Sequence, residues 1–497
     1  MQSQDIKPSD PKDEQVVENK ELNIWEALIP VIALIIMLFY NVFFAFGDDA
    51  LSGSNQFILL MGGAVAVIVG FFNKVSFDQM MEEVAQNIKS TAGAILILLM
   101  VGGLAGTWLI SGVIPTMIYY GMQILNPNIF LVSCVIICAI ISVATGSSWT
   151  TSATVGIALI GIANALNIPM GMTAGAILSG AYFGDKISPL SDTTNLAPAM
   201  AGTDLFTHIR YMLYTTIPTL TVTLIVFIII GLNLEPTGTA DTHLLLEAVE
   251  KSINVSPWLF LVPIIVVVLI VKKTSPLIAL LIGILLGAVG ALIFQPDIVA
   301  SLGGQSTLTF QSGYKGIMNA ITVESSIPTD NESLKDLFSA GGMKGMLNTI
   351  WLILCAMTFG GIMDAIGALS AISKALLRLF HTTFGLFAST VISCLALNVT
   401  ASDQYLAIVI PGKMYAKAFR DKGLAPENLS RTLEDSGTVT SVLIPWNTCG
   451  AYHSGVLGVD TLHYAGYAVF NWLSPFMTLL FAAFRIKIRQ LSTPQNA

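Results

Sequence analysis

The sequence predicts an all-α polytopic membrane protein made of two repeats of inverted topology. Of its 497 residues, 54% are hydrophobic and only 11% are charged, whereas a soluble globular chain carries roughly 25% charged residues. An internal repeat gives the second argument and is described below. The third is a set of apolar runs as long as a membrane-spanning helix must be; these runs cover residues 27–46, 56–72, 211–231, 257–271, 276–294 and 462–484.

Composition also bounds the partners of the chain. The net charge of −8 comes partly from the acidic N-terminal tail and argues against binding to nucleic acid. The first 23 residues are polar and acidic, so no cleavable signal peptide is predicted, and residues 24–46 are interpreted as a retained first span. The five cysteines are scattered through apolar segments. We interpret them as small buried hydrophobic residues rather than metal ligands, and expect no cofactor.

Short motifs recur in the same order in the two halves of the chain. The paired positions are 252 to 258 residues apart and include Gly102 with Gly360, Ser148 with Ser402, Asn195 with Asn447, Asp204 with Asp460, and Pro218 with Pro475. Coincidence of composition is the alternative explanation, since apolar strings resemble one another. Internal repeats with interrupted helices at corresponding positions are typical of secondary transporters.

The distribution of Lys and Arg predicts the topology. Placing basic loops in the cytoplasm leaves only four of the 23 Lys and Arg residues outside and one in the membrane. Each repeat then has five crossings, so the repeats are inverted and both termini are cytoplasmic. The predicted segments are a tail at 1–23, the first repeat at 24–232, an external loop at 233–256, the second repeat at 257–486 with an external insertion at about 296–340, and a tail at 487–497.

Two long apolar segments predict re-entrant hairpins. Residues 128–166 are interrupted at GSSWTTS, and one straight helix of that length would reach about 58 Å, nearly twice the hydrocarbon core. Residues 383–420 form the matching hairpin, with NVTASDQ at its tip. Broken helices follow at 170–202 and 428–458, which gives about ten spans plus two hairpins. The pattern at 74–90 predicts an amphipathic interfacial segment before a span that begins near residue 91.

Residues 180–204, GAYFGDKISPLSDTTNLAPAMAGTD, combine charge with helix interruption inside an apolar region. Pro189 and Pro198 lack backbone donors and break helical continuity. Charged side chains at bilayer depth are costly and mark a pathway or cavity, and irregular backbone at that depth must be buried or line a cavity. The stretch therefore predicts a binding site within a transporter.

The hairpin tips and helix breaks are expected to meet near the midplane and to bind Na⁺. Hydroxyl, amide and carbonyl oxygens at such breaks coordinate this ion. The alternative for any one of these side chains is helix capping, because Ser, Thr, Asn and Asp also satisfy free backbone groups. The candidate ligands are Ser148, Thr151, Thr193, Thr194, Asn195, Ser402, Asn447 and Thr448.

Four carboxylates are candidates for ion or proton binding: Asp185, Asp192, Asp403 and Asp435. Asp192 lies nearest the break and is the first choice, so its replacement by Asn is predicted to abolish exchange without unfolding the protein. Lys186 either neutralises a neighbouring carboxylate, such as Asp185 or Asp192, or contributes to an anion site.

The stretch SVATGSSWTTSATVGIALIGIA, followed by GAYFGDKISPLSDTTNLAPAMAGTDLFTHIRYM, closely resembles the NhaC family of bacterial Na⁺/H⁺ antiporters. The resemblance extends from about residue 24 to 486. It implies an ion-transporter superfamily that includes the divalent-anion/Na⁺ symporters, with re-entrant hairpins, broken helices and Na⁺ held by Ser-Asn-Thr motifs. Here the tips have Ser-Ser and Ala-Ser-Asp, and the breaks have Thr-Thr-Asn and Asn-Thr.

The expected function is secondary antiport of Na⁺, with Li⁺ as a further candidate, against H⁺ across a bacterial inner membrane. The resemblance leaves one alternative, because the family includes exchangers that couple organic acids, such as malate against lactate, to Na⁺ and H⁺. An organic-anion or amino-acid exchanger on the same fold is that alternative. An intramembrane enzyme is disfavoured, since His-Glu-x-x-His, Gly-x-Ser-x-Gly and P-loop motifs are absent. Related folds often dimerise, which leaves a homodimer open.

Overall fold

The computed structural model describes residues 22–46, 53–124, 126–234, 239–272, 274–329, 335, 338–379 and 382–491. Across these residues the chain is helical, apart from one antiparallel pair of two-residue strands, β1 (Ser325–Ser326) and β2 (Ser339–Ala340). The strands lie in the insertion predicted at 296–340.

The helices of the first half are α1 (Ile24–Tyr40, continued by a π-helical turn at Asn41–Phe46), α2 (Ser54–Phe72), α3 (Phe77–Ile110), α4 (Val113–Ile124), α5 (Pro127–Thr145), α6 (Ser148–Thr151, followed by a π-helical turn at Ser152–Gly156), α7 (Ile157–Ala165), α8 (Met170–Ile187), α9 (Asp192–Ala201) and α10 (Leu205–Leu232).

The helices of the second half are α11 (Thr239–Ser252), α12 (Leu261–Val271, preceded by a 3₁₀ turn at Pro257–Phe260), α13 (Pro276–Phe294), α14 (Pro296–Leu302), α15 (Phe310–Thr322), α16 (Gly342–Gly345), α17 (Leu347–Ala365), α18 (Ala368–Leu379), α19 (Thr383–Thr400), α20 (Gln404–Asp421), α21 (Pro426–Leu433, followed by a π-helical turn at Glu434–Thr438 and a 3₁₀ turn at Ser441–Leu443), α22 (Thr448–Leu457), α23 (Thr461–Ala465) and α24 (Val469–Ala483).

The chain is a multi-pass membrane protein. Within the described ranges, eight helices are long and apolar enough to cross a bilayer, or nine if the pair formed by α11 and α12, bent by 89°, is one span. Many large apolar side chains point outward, among them Trp25, Phe72 and Trp258. Such a surface would be a liability in water and is expected against lipid.

The third helix differs from the sequence-based expectation. The interfacial segment at 74–90 and the following span form one continuous helix, α3, of 34 residues. Ser76 starts it with a capping box, in which its side chain accepts from the N–H of Gln79 and the Gln79 side chain accepts in return. No proline follows inside the helix, so nothing in the backbone stops it at residue 90.

The first interruption in each half has the same backbone geometry. Gly146 after α5 has a φ of 70°, and Ser402 after α19 has a φ of 59°. The next residues, Ser147 and Asp403, cap α6 and α20 with their side chains. Ser402 follows Gly146 by the same number of residues as Asp403 follows Ser147. The structure therefore pairs Ser402 with Gly146, whereas the sequence-based pairing matched it with Ser148.

The second interruption repeats at that same separation. Ser191 caps α9, and Asn447 caps α22. Gly202 and Gly458 end these helices in the left-handed conformation that favours glycine. Asn447 follows Ser191, and Gly458 follows Gly202, by the same number of residues as Ser402 follows Gly146. Asn447 therefore corresponds to Ser191 rather than to Asn195.

Helices α5 and α8 are in direct backbone contact. A Cβ atom added to Gly180 would lie 2.2 Å from the carbonyl oxygen of Val135, and one added to Gly184 would lie 2.6 Å from that of Ala139. Small residues four apart allow such an approach between membrane helices. The hydroxyl of Ser142 also donates to the carbonyl of Ala181 at 2.6 Å. The C-terminal part of α8 is thus fixed against α5.

Candidate functional site

A cavity of about 510 Å³ lies where the interruptions of the two halves meet. Four parts of the chain reach it: residues 145–150, the break between α8 and α9, the start of α20, and the start of α22. Helix α3 and the connection between α12 and α13 complete the wall. The polar side chains that line it are Ser90, Thr91, Thr145, Ser147, Trp149, Thr150, Asp185, Ser191, Asp192, Thr193, Thr274, Ser275, Asp403, Gln404, Tyr405 and Thr448.

Asp185 is the most firmly held carboxylate of the cavity. It lies near the C-terminal end of α8 and is only 8% exposed. Its Oδ2 atom accepts hydrogen bonds from the backbone N–H of Ser148 at 3.1 Å and from the Ser148 hydroxyl at 2.6 Å. Ser148 does not line the cavity itself and acts on it through Asp185.

Two further carboxylates face the same space. Asp403 is 6% exposed, and one of its oxygens accepts from the N–H of Leu406 at 3.0 Å. Asp192 is the first residue of α9 and is exposed. Burial and hydrogen bonding therefore favour Asp185 over Asp192, which the sequence made the first choice.

The charges of the wall have one sign. Among the described residues that line the cavity there is no Lys, Arg or His, whereas three are aspartates. Buried hydroxyls of Thr193 and Thr448 lie in the same wall. Focused negative charge of this kind raises the local concentration of cations, and oxygen atoms are the ligands that hard cations prefer.

Three of the predicted ligands donate hydrogen bonds to backbone carbonyls. The Thr151 hydroxyl donates to the carbonyl of Ser147 at 2.9 Å. The Asn195 amide donates to the carbonyls of Pro189 and Ser191 at 3.0 and 2.7 Å. These two residues fit the capping alternative.

Thr194, the third of these predicted ligands, links the two sides of the break between α8 and α9. Its hydroxyl donates to the carbonyls of Asp185 and Lys186 at 3.1 and 2.9 Å. It supports the backbone of the site without lining the cavity.

The connection between α19 and α20 is joined to the start of α22. The backbone N–H of Thr448 donates to the carbonyl of Ser402 at 2.9 Å. The Ser402 hydroxyl is buried without a hydrogen-bond partner among the described residues. Asn447 is buried, accepts from the N–H of Cys449 at 3.0 Å and donates to the carbonyl of Asn398 at 3.0 Å. Asn447 thus acts as a cap and as a link to α19.

Lys186 and Asp435 form an ion pair with both side chains fully buried. The other carboxylate oxygen of Asp435 accepts from Thr215 at 2.9 Å and from Thr478. Neither member of the pair lines the cavity. The partner of Lys186 is therefore Asp435, not the neighbouring Asp185 or Asp192, and the pair joins α8 to the π-helical turn after α21.

Sequence reasoning missed Gln404 and Ser441. The Ser441 hydroxyl donates to Gln404 Oε1 at 3.3 Å, and Gln404 lines the cavity. Gln404 follows Ser148, and Ser441 follows Asp185, by the same number of residues that separates the paired caps. The contact that holds Asp185 therefore has a counterpart in the second half. A repeat aligned at a constant spacing would have found both residues.

The five cysteines are all buried and free. In the part of the chain that the structure covers, no group of three or more His, Cys, Asp and Glu residues is arranged to hold a metal ion. The absence of His from the described cavity wall fits this result.

Comparison with known proteins identifies the family. The model of the Na⁺/H⁺ antiporter family matches residues 180–486, which contain the motif with Asp185 and the whole second half. The chain belongs to the Na⁺/H⁺ antiporter family. The resemblance of the sequence to the NhaC antiporters is thereby confirmed.

Relatives within this family have different named substrates. The chain is 38% identical to the Na⁺/H⁺ antiporter NhaC of Alkalihalophilus pseudofirmus, over 84% of this chain and 87% of that protein. It is 35% identical to the malate-2H⁺/Na⁺-lactate antiporter of Bacillus subtilis, over 84% and 86% of the two chains. It is 32% identical to the arginine/ornithine antiporter ArcD of Halobacterium salinarum, over 93% and 92%.

Proposed function

We propose that this antiporter-family protein exchanges Na⁺, with Li⁺ as a further candidate, for H⁺ across a bacterial inner membrane. One observation carries the proposal: Asp185, Asp192 and Asp403 converge on one cavity whose described wall holds no cationic side chain. A carboxylate can bind a metal ion or a proton but not both at the same oxygen. Competition between Na⁺ and H⁺ for buried carboxylate charge couples their fluxes.

The transport cycle we propose is alternating access by two inverted repeats, each with a re-entrant hairpin and a broken helix. The caps that recur at one constant separation along the chain support a repeat of this extent. In this topology both termini are cytoplasmic. We propose further that the protein is a transporter and not an enzyme, and a homodimer is the assembly to test first. The ligands offered to Na⁺ are Asp185, Asp403, Thr193 and Thr448, with Asp192 at the cavity edge.

An exchanger of organic solutes is the second candidate, and the size of the cavity favours it. About 510 Å³ falls within the range of small-molecule sites, roughly 300–1,000 Å³. The charge of the wall argues against an organic anion, because Lys186, the cation proposed for such a site, is paired with Asp435. A solute with a positive group, as in the named arginine/ornithine relative, fits the three aspartates better.

The test uses purified protein in proteoliposomes with an internal pH dye. Na⁺, Li⁺ and K⁺ are added first, and malate, lactate and arginine are then added separately. Proton movement driven by Na⁺ alone, and lost in Asp185→Asn, supports the cation antiporter. Silence with Na⁺ alone, followed by flux once an organic solute is present, would replace it with the second candidate.

A further inference from the structure

Glu434 is a further buried carboxylate, and it lies outside the cavity. It begins the π-helical turn Glu434–Thr438, and its side chain is fully buried. Within the described residues, neither of its oxygens accepts a hydrogen bond. An ionised carboxylate buried at this depth with so few donors is costly, and a bound proton removes its charge. π-helical turns inside longer helices occur frequently at functional sites.

Glu434 belongs to a cluster of buried charges that extends to the cavity. It is adjacent in the chain to Asp435, which is ion-paired with Lys186, and Lys186 is adjacent in turn to Asp185 of the cavity. Arg431, three residues earlier, is also fully buried; its guanidinium lies 4.4 Å from the centre of the Tyr211 ring and makes no hydrogen bond to a described residue. The three carboxylates and two cations named here sum to one net negative charge when every member is ionised, and Asp192 and Asp403 of the cavity add to it. One added cation offsets one of these charges.

The helices packed on the turn bring few other charges to it. Helices α19 and α24 contain no charged residue, and in α9 the only one is Asp192 of the cavity. In α21, the buried Glu427 pairs with the exposed Arg489. His208 of α10 is buried and bonds Ser430 at 2.7 Å. The charged residues of α20 are exposed; they are Lys413, Lys417, Arg420 and Asp421.

We propose that Glu434 holds the exchanged proton at a site separate from the cavity that binds Na⁺. When Na⁺ lies beside Asp185, the O–H bond of Glu434 breaks and the proton passes to water. When Na⁺ leaves, a proton from water binds a Glu434 oxygen and restores the net charge of the cluster. The two ions exclude each other through charge and need not share a ligand. This proposal rests on Na⁺/H⁺ exchange being the function of the protein.

The experiment compares Glu434→Gln with Asp185→Asn and with the control Glu427→Gln, which changes the other buried glutamate, the one that is ion-paired with Arg489. Two rates are measured in proteoliposomes: proton movement driven by Na⁺, and exchange of radioactive Na⁺ for unlabelled Na⁺ without a pH gradient. We expect Glu434→Gln to lose proton movement and keep Na⁺/Na⁺ exchange. Asp185→Asn loses both, and Glu427→Gln keeps both.

Two results would overturn the proposal. In one, Glu434→Gln moves protons with the wild-type ratio to Na⁺. In the other, folded Glu434→Gln loses Na⁺/Na⁺ exchange as completely as Asp185→Asn, which makes Glu434 part of Na⁺ binding. A wild-type protein without Na⁺-driven proton movement would instead refute the proposed function itself.

A measurement on the wild type keeps the test open if Glu434→Gln does not fold. Infrared difference spectra are recorded on adding Na⁺ to protein labelled with heavy-carbon glutamate. We expect Na⁺ to remove the carbonyl band of a protonated carboxylic acid, at the frequency shifted by the label. Glu434 and Glu427 are the buried glutamates of the described chain, and Glu427 is ion-paired. A spectrum in which Na⁺ changes no glutamate band contradicts the proposal.

Discussion

Ser148 donates two hydrogen bonds to one carboxylate oxygen of Asp185, from its backbone N–H and from its hydroxyl. The bonds join the start of α6 to the end of α8. They hold a negative group in the cavity wall, where a cation can reach it. Four of the predictions below follow from this wall and the helices that position it.

Asp185→Asn is expected to abolish Na⁺-driven proton movement, because the uncharged amide cannot neutralise a bound cation. The measurement is the pH change inside proteoliposomes after Na⁺ addition. Asp204→Asn is the matched control: Asp204 caps α10 with its side chain and is outside the cavity, and Asn is an equally good cap. Wild-type activity in Asp185→Asn would remove Asp185 from the mechanism.

Asp192→Asn is expected to weaken Na⁺ binding without abolishing exchange. Asp192 is exposed, and an interaction between exposed charges at about 4 Å is worth only ~1 kcal/mol, or roughly a fivefold change in affinity. The readout is the Na⁺ concentration at half-maximal flux. Complete loss of exchange in a folded variant would restore the order that the sequence suggested, with Asp192 ahead of Asp185.

Lys186→Met is expected to destabilise the protein by about 3–5 kcal/mol, because it leaves Asp435 as an unpaired buried charge. Asp435→Leu should cost a similar amount, and the double variant should recover most of the loss. Thermal unfolding of the purified variants measures the cycle. Destabilisation of the double variant by the sum of the single losses would show that the two side chains do not depend on each other.

Gly184→Ala is expected to destabilise the protein, since the new Cβ would lie 2.6 Å from the carbonyl oxygen of Ala139 and the backbone would have to move. Overpacking of this kind typically costs about 1–3 kcal/mol. Gly93→Ala is the control, because Gly93 also lies within a helix and its added Cβ would meet nothing within 4 Å. Equal melting temperatures for the two variants would refute the close contact of α5 and α8.

Thiol labelling tests which side of the membrane the cavity faces. All five native cysteines are buried, so the folded wild type is expected not to react with an impermeant thiol reagent. Ser90→Cys is exposed at the cavity and should react from the cytoplasmic side. Asn348→Cys lines a smaller cavity of about 300 Å³ and should react from outside. Labelling of both variants from one side would contradict the predicted topology.

The sequence predicted the parts of the site that are local in the chain. The combination of charge and proline at 180–204 located the break between α8 and α9, and the polar residues around Ser148 and Asp403 located the interruptions after α5 and α19. These signals are visible because an apolar surrounding makes each polar residue stand out. Hydrogen-bond partners were less visible: Thr194 and Asn195 have the composition of ligands, yet they satisfy nearby carbonyls.

Contacts between the halves were beyond the sequence. Lys186 and Asp435 are 249 residues apart, so no local spacing indicates that they pair. The short helices α4 and α18 were also missed, because 12-residue helices lack the length that distinguishes a span. The fold class needed only composition and run length and was correct at the level of a helical multi-pass protein.

The close approach of α5 and α8 at Gly180 and Gly184 has a consequence for motion. Two backbones in direct contact cannot slide or tilt against each other without collision, so these helices must be displaced together, as one rigid block. Asp185 lies one residue beyond the contact, and Ser148 lies just after α5. We therefore expect the carboxylate and its donors to keep their geometry during a larger rearrangement, so that a bound ion would move with them and would not pass between separate sites.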